Sequence, residues 1–278
     1  MTSDTAAERD LETARALAEE AGRLLLAWRE RLDEMEVGSK SAARDLVTEA
    51  DLASERLLLQ GLERAFPHDG VLAEESGRHG GDGPAWYVDP LDGTVNFVHR
   101  LPMFAVSLAR VVDGEPELAV VHLPLLGETF TARRGGGARL GRRQLRVSAA
   151  DRLADALLAT GFPYRRHVLV RNNLEEFVRL FLHQRGIRRM GSAACDLAYV
   201  AAARLDAFWE LHLAPWDVAA GGLLVREAGG VADTFRPGGD WLHGRNLLAG
   251  PAPLVAELRR LLLADRGPDY PELGEREA

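Results

Sequence analysis

The stretch WYVDPLDGTVNF, from Trp86 to Phe97, ends an apolar run in two aspartates, Asp89 and Asp92, with Gly93 and Thr94 directly behind. Carboxylates brought together repel one another unless a cation neutralises them. Three further stretches carry acids where core patterning would not place them. VLAEES sets Glu74 and Glu75 after an apolar run, APWDVAAGG opens a helical pattern on Asp217, and DLVTEAD sets Asp45 and Asp51 around the start of another. Taken singly, each has a structural explanation: Asp-Pro and Asp-Gly mark turns, and an aspartate near a helix start interacts well with the dipole. Taken together they point to strand ends facing a common crevice, where α/β folds bind ligands. Hard oxygen ligands without Cys or paired His suit Mg²⁺.

The same string fits an anion as a second guest. Pro90 stiffens the turn after Asp89, and Gly93 lets the backbone approach a ligand. Thr94 opens a short predicted helix, TVNFVH, whose N–H groups would point at a phosphate. Two carboxylate-held cations beside such a site would serve in-line phosphoryl transfer to water. One rival pattern fails. Phosphatases of the haloacid dehalogenase type use Asp-x-Asp-x-Thr, whereas here the aspartates stand one residue further apart. In extended backbone that difference turns a side chain to the other face.

The rest of the chain supplies the frame. Its 278 residues suit one large domain or two ordinary ones. Residues 6–32 and about 49–66 read as amphipathic helices. The second is capped by Thr48 with Asp51 at the third helical position, and its Leu52, Leu58, Leu59, Leu62 and Phe66 fall on one side. Strand-like runs follow at about 71–73, 85–89, 103–112, 117–123, 128–133 and 143–147. RRGGGARLGRR reads as a hairpin turn, since no Gly-Lys-Ser/Thr follows to make a phosphate loop. After residue 148, helical patterns (about 171–184, 193–203, 216–228 and 252–264) alternate with strand runs, which argues for an α/β layer. A boundary at SAADRL divides the chain into 1–148 and 149–278.

Net charge is −8, and no Lys/Arg cluster is dense enough for a nucleic-acid face; RGIRRMG is read as a solvated edge. The single cysteine, Cys195, excludes an internal disulfide and a multi-Cys zinc site, and reads as a buried thiol. No apolar run approaches the roughly 20 residues that span a bilayer. The acidic N-terminus lacks the basic start of a signal peptide, so the expectation is a soluble, cytoplasmic protein without a membrane partner.

Five motifs now carry a likeness. DLVTEAD, AEES, WYVDPLDGTVNFVHRLP, GSAACDLAYVAAARLDAFWE and PWDVAAGGLLVREAGG occur in this order between Lys40 and Gly230. The sequence resembles the inositol monophosphatase family of metal-dependent, lithium-sensitive phosphatases, and most of all its bacterial extragenic-suppressor branch. The resemblance implies a layered αβαβα sandwich of the inositol monophosphatase and fructose-1,6-bisphosphatase type, homodimeric in most members. It makes Glu74, Asp89 and the Leu91 carbonyl ligands of one Mg²⁺, and Asp89, Asp92 and Asp217 ligands of a second. Glu74 would also contact a weaker third ion, with Glu75 behind it. Thr94 and Asp51 match a pair that orients and activates the attacking water, and Lys40 matches a basic residue near metal and phosphate. Gly93 and Thr94 would supply phosphate-facing N–H groups. Gly191, Ser192, Ala193 and Glu210 match the polyol side, beside Asp92 and Asp217; Ser192 stands where many relatives have Thr.

The implied reaction is hydrolysis of a small phosphorylated polyol without a covalent enzyme intermediate. Myo-inositol 1-phosphate is the first candidate. Fructose 1,6-bisphosphate, histidinol phosphate and 3′-phosphoadenosine 5′-phosphate are alternatives used by relatives, and a regulatory contact with the transcription machinery is a different class of role.

Overall fold

The computed structural model describes residues 3–34, 37–40, 46–81 and 83–275; the aspartate at position 45 lies outside them. In chain order, α1 (Ser3–Glu30) leads to a small ribbon of β1 (Val37–Ser39) and β2 (Leu46–Thr48), then α2 (Glu49–Ala65). Next come β3 (Gly70–Ala73), β4 (Gly77–His79), β5 (Ala85–Asp92), the short α3 (Thr94–Val98), β6 (Ala105–Val112), β7 (Glu115–Leu123), β8 (Glu128–Arg133), β9 (Gly137–Leu140) and β10 (Arg143–Gln144). The remainder alternates: β11 (Leu157–Thr160), α4 (Leu174–Phe181), β12 (Gly186–Arg188), α5 (Ala193–Ala201), β13 (Ala207–Leu211), α6 (Pro215–Glu227), β14 (Val231–Asp233), β15 (Asn246–Gly250) and α7 (Ala252–Leu263).

Two mixed sheets result. The first has eight strands in the order β10-β9-β8-β7-β6-β5-β3-β4, antiparallel except where β3 runs parallel to β5. The second has five in the order β12-β11-β13-β15-β14, parallel between β12, β11 and β13 and antiparallel beyond. Side chains alternate across a strand, so a strand that is apolar on both faces needs a layer on each side. Trp86 and Val88 of β5 pack with α1 and α2, while Ala85 and Tyr87 pack on the opposite face with α5 and α6. In the second sheet Phe208 faces α5 and α6, whereas Ala207, Trp209 and Leu211 face α7. The layers therefore run α1/α2, first sheet, α5/α6, second sheet, α4/α7, the expected αβαβα sandwich.

Three local differences from the sequence reading have physical causes. Leu52 is 44% exposed, because the first half of α2 turns Asp51, Ser54 and Glu55 inward. Those polar groups are buried by partners near a site, not by the apolar stripe. The glycine-rich run is two turns around a strand: Gly137–Leu140 forms β9, with Leu140 opposite Phe130 and Ala138 opposite Ala132. The run predicted at 143–147 pairs only over Arg143–Gln144. Cys195 is buried as expected. No helix among the described residues is long and apolar enough to cross a membrane.

Candidate active site

The spacing of Asp89 and Asp92 is resolved by a bulge. Asp89 lies opposite Ser107 and Asp92 opposite Ala105, so β5 advances three residues while β6 advances two. An odd spacing in a regular strand sends two side chains to opposite faces; one extra residue restores them to the same face. Ala105 belongs to the core beneath α5 and α6, and Ser107 Oγ donates to the carbonyl of Trp216 in α6. Both aspartates thus face the middle helical layer. Pro90 sits in the bulge, where no ladder donor is required. Its carbonyl accepts from the buried Ser54 hydroxyl of α2 at 2.8 Å, which pins the irregular segment. Gly93 follows with φ near +97°, and a Cβ there would lie 2.9 Å from the Met103 carbonyl oxygen. Only glycine fits.

Neighbouring elements complete the wall. Thr94 Oγ1 lies 2.9 Å from Asp51 Oδ1 and 3.2 Å from the Leu91 carbonyl oxygen. The other oxygen of Asp51 accepts from the N–H of Thr48 at 2.8 Å, closing the capping box that starts α2. Burial raises the Asp51 carboxyl to about 6, against the hydrogen bonds from Thr48 and Thr94. Lys40, just past β1, donates to Glu74 Oε1 at 2.7 Å and to Glu75 Oε1 at 2.6 Å. Burial alone would lower its ammonium pKa, but the two carboxylates carry it well above the usual range. Glu75, on the other side of that ammonium, is raised to about 7, chiefly by burial.

The far wall comes from the second half of the chain. Asp217 stands in the first turn of α6 and accepts from the N–H of Ala214 at 2.7 Å, with Pro215 opening the helix. Ser192 caps α5, and its hydroxyl donates to Asp92 Oδ2 at 2.8 Å; the Ala194 N–H donates to the same oxygen at 2.6 Å. Glu210, at the end of β13, lies flat against Gly161, where a Cβ would come within 2.2 Å of its carboxylate. Burial raises Glu210 to about 8, with the charge of Arg189 opposing.

Lys40, Glu74, Asp89, Leu91, Asp92, Gly93, Thr94, Gly191, Ser192, Ala193, Glu210 and Asp217 all line one cavity of about 310 Å³, and Asp51 stands behind Thr94. Burial, followed by the charge of Glu74 and the other aspartates, pushes Asp89 and Asp217 well above the carboxylate range; burial raises Asp92 to about 6. Such a set discharges either by taking up protons or by binding cations, and a bound cation inverts the pKa logic. Among the described residues no three acidic, histidine or cysteine side chains already meet in the tight group that holds a metal ion. The donors are all hard oxygens, carboxylates with one carbonyl, which suits Mg²⁺.

Several residues in or beside the wall escaped the sequence reading. Asn96 donates to the carbonyls of Met103 and Met190, tying α3 to the loop that carries Gly191. Asp196 is buried against the cavity, and its Oδ1 has no hydrogen-bond partner among the described residues. Its place four residues after the Ser192 cap was the available signal. Arg189, from the run read as a solvated edge, is exposed but lines the cavity with Phe162 and Trp216.

Comparison with known proteins bears on the family and the fold. The profile described as the inositol monophosphatase family matches residues 6–265. The protein named Nus factor SuhB of Pseudomonas aeruginosa is 45% identical over 248 residues, which is 86% of this chain and 90% of that one. The inositol-1-monophosphatase of Rhizobium meliloti is 43% identical over 244 residues, 87% of this chain and 91% of that one. Among solved structures, the extragenic suppressor protein SuhB of Bartonella henselae superposes with a TM-score of 0.85 at 40% identity, covering 91% of this chain and 98% of its own. The inositol monophosphatase of Anabaena gives 0.83 at 37% identity, covering 92% and 96%.

Proposed function

The chain belongs to the inositol monophosphatase family, and from that premise we propose that it is a metal-dependent hydrolase of small polyol phosphate monoesters, with myo-inositol 1-phosphate the leading substrate. The observation that carries this reading is the bulge in β5, which turns Asp89 and Asp92 to one face, toward Asp217 and beside the Thr94–Asp51 pair. Glu74, Asp89 and the Leu91 carbonyl would hold one Mg²⁺; Asp89, Asp92 and Asp217 would hold a second, with Glu74 reaching a weaker third. Bound there, the ions supply charge neutralisation and a more acidic water.

The chain's own groups do the positioning. Thr94, its proton directed toward Asp51, presents a hydroxyl oxygen that aligns the attacking water, and Asp51 is the base behind it. N–H groups of Gly93 and Thr94 face the phosphoryl oxygens. Lys40 contributes positive charge beside Glu74. On the leaving-group side Glu210 accepts hydrogen bonds from substrate hydroxyls, within a pocket floor of Gly191, Ser192 and Ala193. Fructose 1,6-bisphosphate, histidinol phosphate and 3′-phosphoadenosine 5′-phosphate are the alternative substrates. Phosphate release from all four esters, with and without Mg²⁺, tests the reading; the expected result is Mg²⁺-dependent turnover, highest kcat/KM on inositol 1-phosphate. No release from any of them at saturating Mg²⁺ would refute it.

Relatives named Nus factor favour a second reading, a regulatory contact with the transcription machinery. Salt-resistant co-purification of a transcription complex with the tagged chain would support it, and a chain that elutes free of it would not. We also read the chain as a homodimer, supported by the row of exposed apolar side chains Leu174, Val178, Phe181 and Leu182 on and just after α4.

A further inference from the structure

Residues 267–275 follow α7, lie beyond the part of the chain that the family profile matches, and form no helix and only one bridge pair. They are nevertheless tied down along their length. Tyr270 is 5% exposed and packs into the core beneath α7, its ring 6.4 Å from that of Phe235. The Tyr270 hydroxyl donates to Glu176 of α4, itself buried. Arg236 donates through Nε to the Tyr270 carbonyl at 2.9 Å and through Nη2 to the Gly267 carbonyl. Further on, the Val170 N–H donates to the Gly274 carbonyl at 3.0 Å, Leu169 pairs with Glu275, and Arg165 closes an ion pair with Glu275 at 2.7 Å. Ordering a mostly polar segment costs conformational entropy at every residue, and these contacts offset it.

What they hold is a wall of the active site. The loop from β11 to α4 starts at the cavity, which Gly161, Phe162, Pro163 and Tyr164 line, and Gly161 lies against Glu210. The loop's far end is fixed by the buried Asn173, which donates to Thr160 Oγ1 at 2.7 Å and accepts from Trp209 Nε1 at 2.8 Å. Between these points, Arg165, Leu169 and Val170 meet the final segment. A second link runs through Arg171. Its guanidinium lies over the Tyr270 ring, 5.5 Å from the centre, and its carbonyl accepts from His212 Nε2 at 2.5 Å. His212 stands two residues after Glu210 and also lines the cavity. The final segment therefore braces the chain on both sides of the Glu210 carboxylate. The bonds that hold Asp92, Thr94 and Asp217 come instead from α5, α2 and Ala214.

We propose that Tyr270 is a positioning residue for the leaving-group side of the site, and that residues 267–275 act as a strap holding the wall beside Glu210. This rests on the phosphatase reading above and adds a residue to it. In full-length Tyr270→Ala, hydrogen exchange across residues 162–171 should run at least about tenfold faster than in the parent, as a local opening, while β6 keeps its parental rate. KM for inositol 1-phosphate should rise about tenfold, because drift of the wall costs the contacts it places. On p-nitrophenyl phosphate, which offers no hydroxyls, kcat/KM should stay within about twofold of the parent, since the phosphate side is held by other bonds. Arg236→Ala removes two bonds to the strap and leaves the buried ring in place. It should move exchange and KM the same way by about threefold, and it decides the matter if Tyr270→Ala fails to fold. Parental exchange over residues 162–171 in Arg236→Ala overturns the strap. An equal loss on both esters overturns the positioning role, since Tyr270 would then serve stability alone. A parent protein that turns over neither ester with Mg²⁺ sinks the phosphatase reading; the exchange rates still decide whether the strap holds the wall.

Discussion

Replacing Glu210 by Gln separates the electrostatics of the cavity from its chemistry. Burial against Gly161 raises this carboxyl from an ordinary 4.5 to about 8. A folded-state pKa above the unfolded one means that folding is undisturbed below about pH 4.5, where both states are protonated. The penalty then grows as pH rises, reaching its full size above about pH 8. Each tenfold change in proton affinity is about 1.4 kcal/mol, so the full penalty is about 5 kcal/mol. Water in the open cavity screens part of it and leaves about 1–3 kcal/mol. Gln keeps the shape and cannot ionise, so Glu210→Gln should be more stable than the parent at pH 8.5 and equal to it near pH 4.5. Urea unfolding in EDTA at the two pH values measures this directly. The nearby aspartates titrate in both proteins and largely cancel in the comparison. An unchanged difference between the two pH values, or a less stable variant at pH 8.5, would refute the reasoning. In the Mg²⁺-loaded enzyme the same variant should lose about 10–100-fold in kcat/KM on inositol 1-phosphate, since one acceptor for substrate hydroxyls is weakened.

Asp92→Asn should reduce phosphate release by about 10²–10³-fold while the thermal melt without metal stays put or rises, because a like charge leaves the cluster; near-parental turnover would remove Asp92 from the ligand set. Gly161→Ala adds a methyl 2.2 Å from the Glu210 carboxylate and pushes that flexible group aside. Activity on inositol 1-phosphate should fall by about 10²-fold, the scale of a 1 Å misplacement, with little change on p-nitrophenyl phosphate; equal losses on both would show that Glu210 reads no hydroxyls. Val178→Glu together with Leu182→Glu should convert a dimer to a monomer in light scattering, and a monomeric parent would end the homodimer proposal.

Much of the frame was legible because it rests on short-range rules. Thr48 and Asp51 form the capping box their spacing predicts. The apolar run before Asp89 is a strand buried on both faces. What stayed hidden depends on long-range registration. The pattern Asp-x-x-Asp places two acids on opposite faces of an ideal strand, and nothing local announces the extra residue that reverses this. Leu52 looked apolar and therefore internal, but the inward face of α2 at that height belongs to Asp51 and Ser54, whose partners come from β5 and α3. Arg189 looked like one cation in a surface run; only the fold brings it to the wall that also holds Phe162 and Glu210. The acids were recognisable as a set through the motifs, while the donors to three of them, Ser192 and Ala194 to Asp92, Ala214 to Asp217 and Lys40 to Glu74, are visible only in the folded chain.

The acidic wall is not built from one sheet. Glu74, Asp89 and Asp92 stand on or just after strands of the first sheet, while Asp217 stands on the helical layer beyond and Glu210 on the second sheet. A divalent ion captured between Asp92 and Asp217 would act as a rivet across that seam, so catalysis and cohesion would share a fastener. Its mechanical signature is a melting temperature that climbs with free Mg²⁺ by mass action, and that stops climbing once either rivet hole is plugged by an amide.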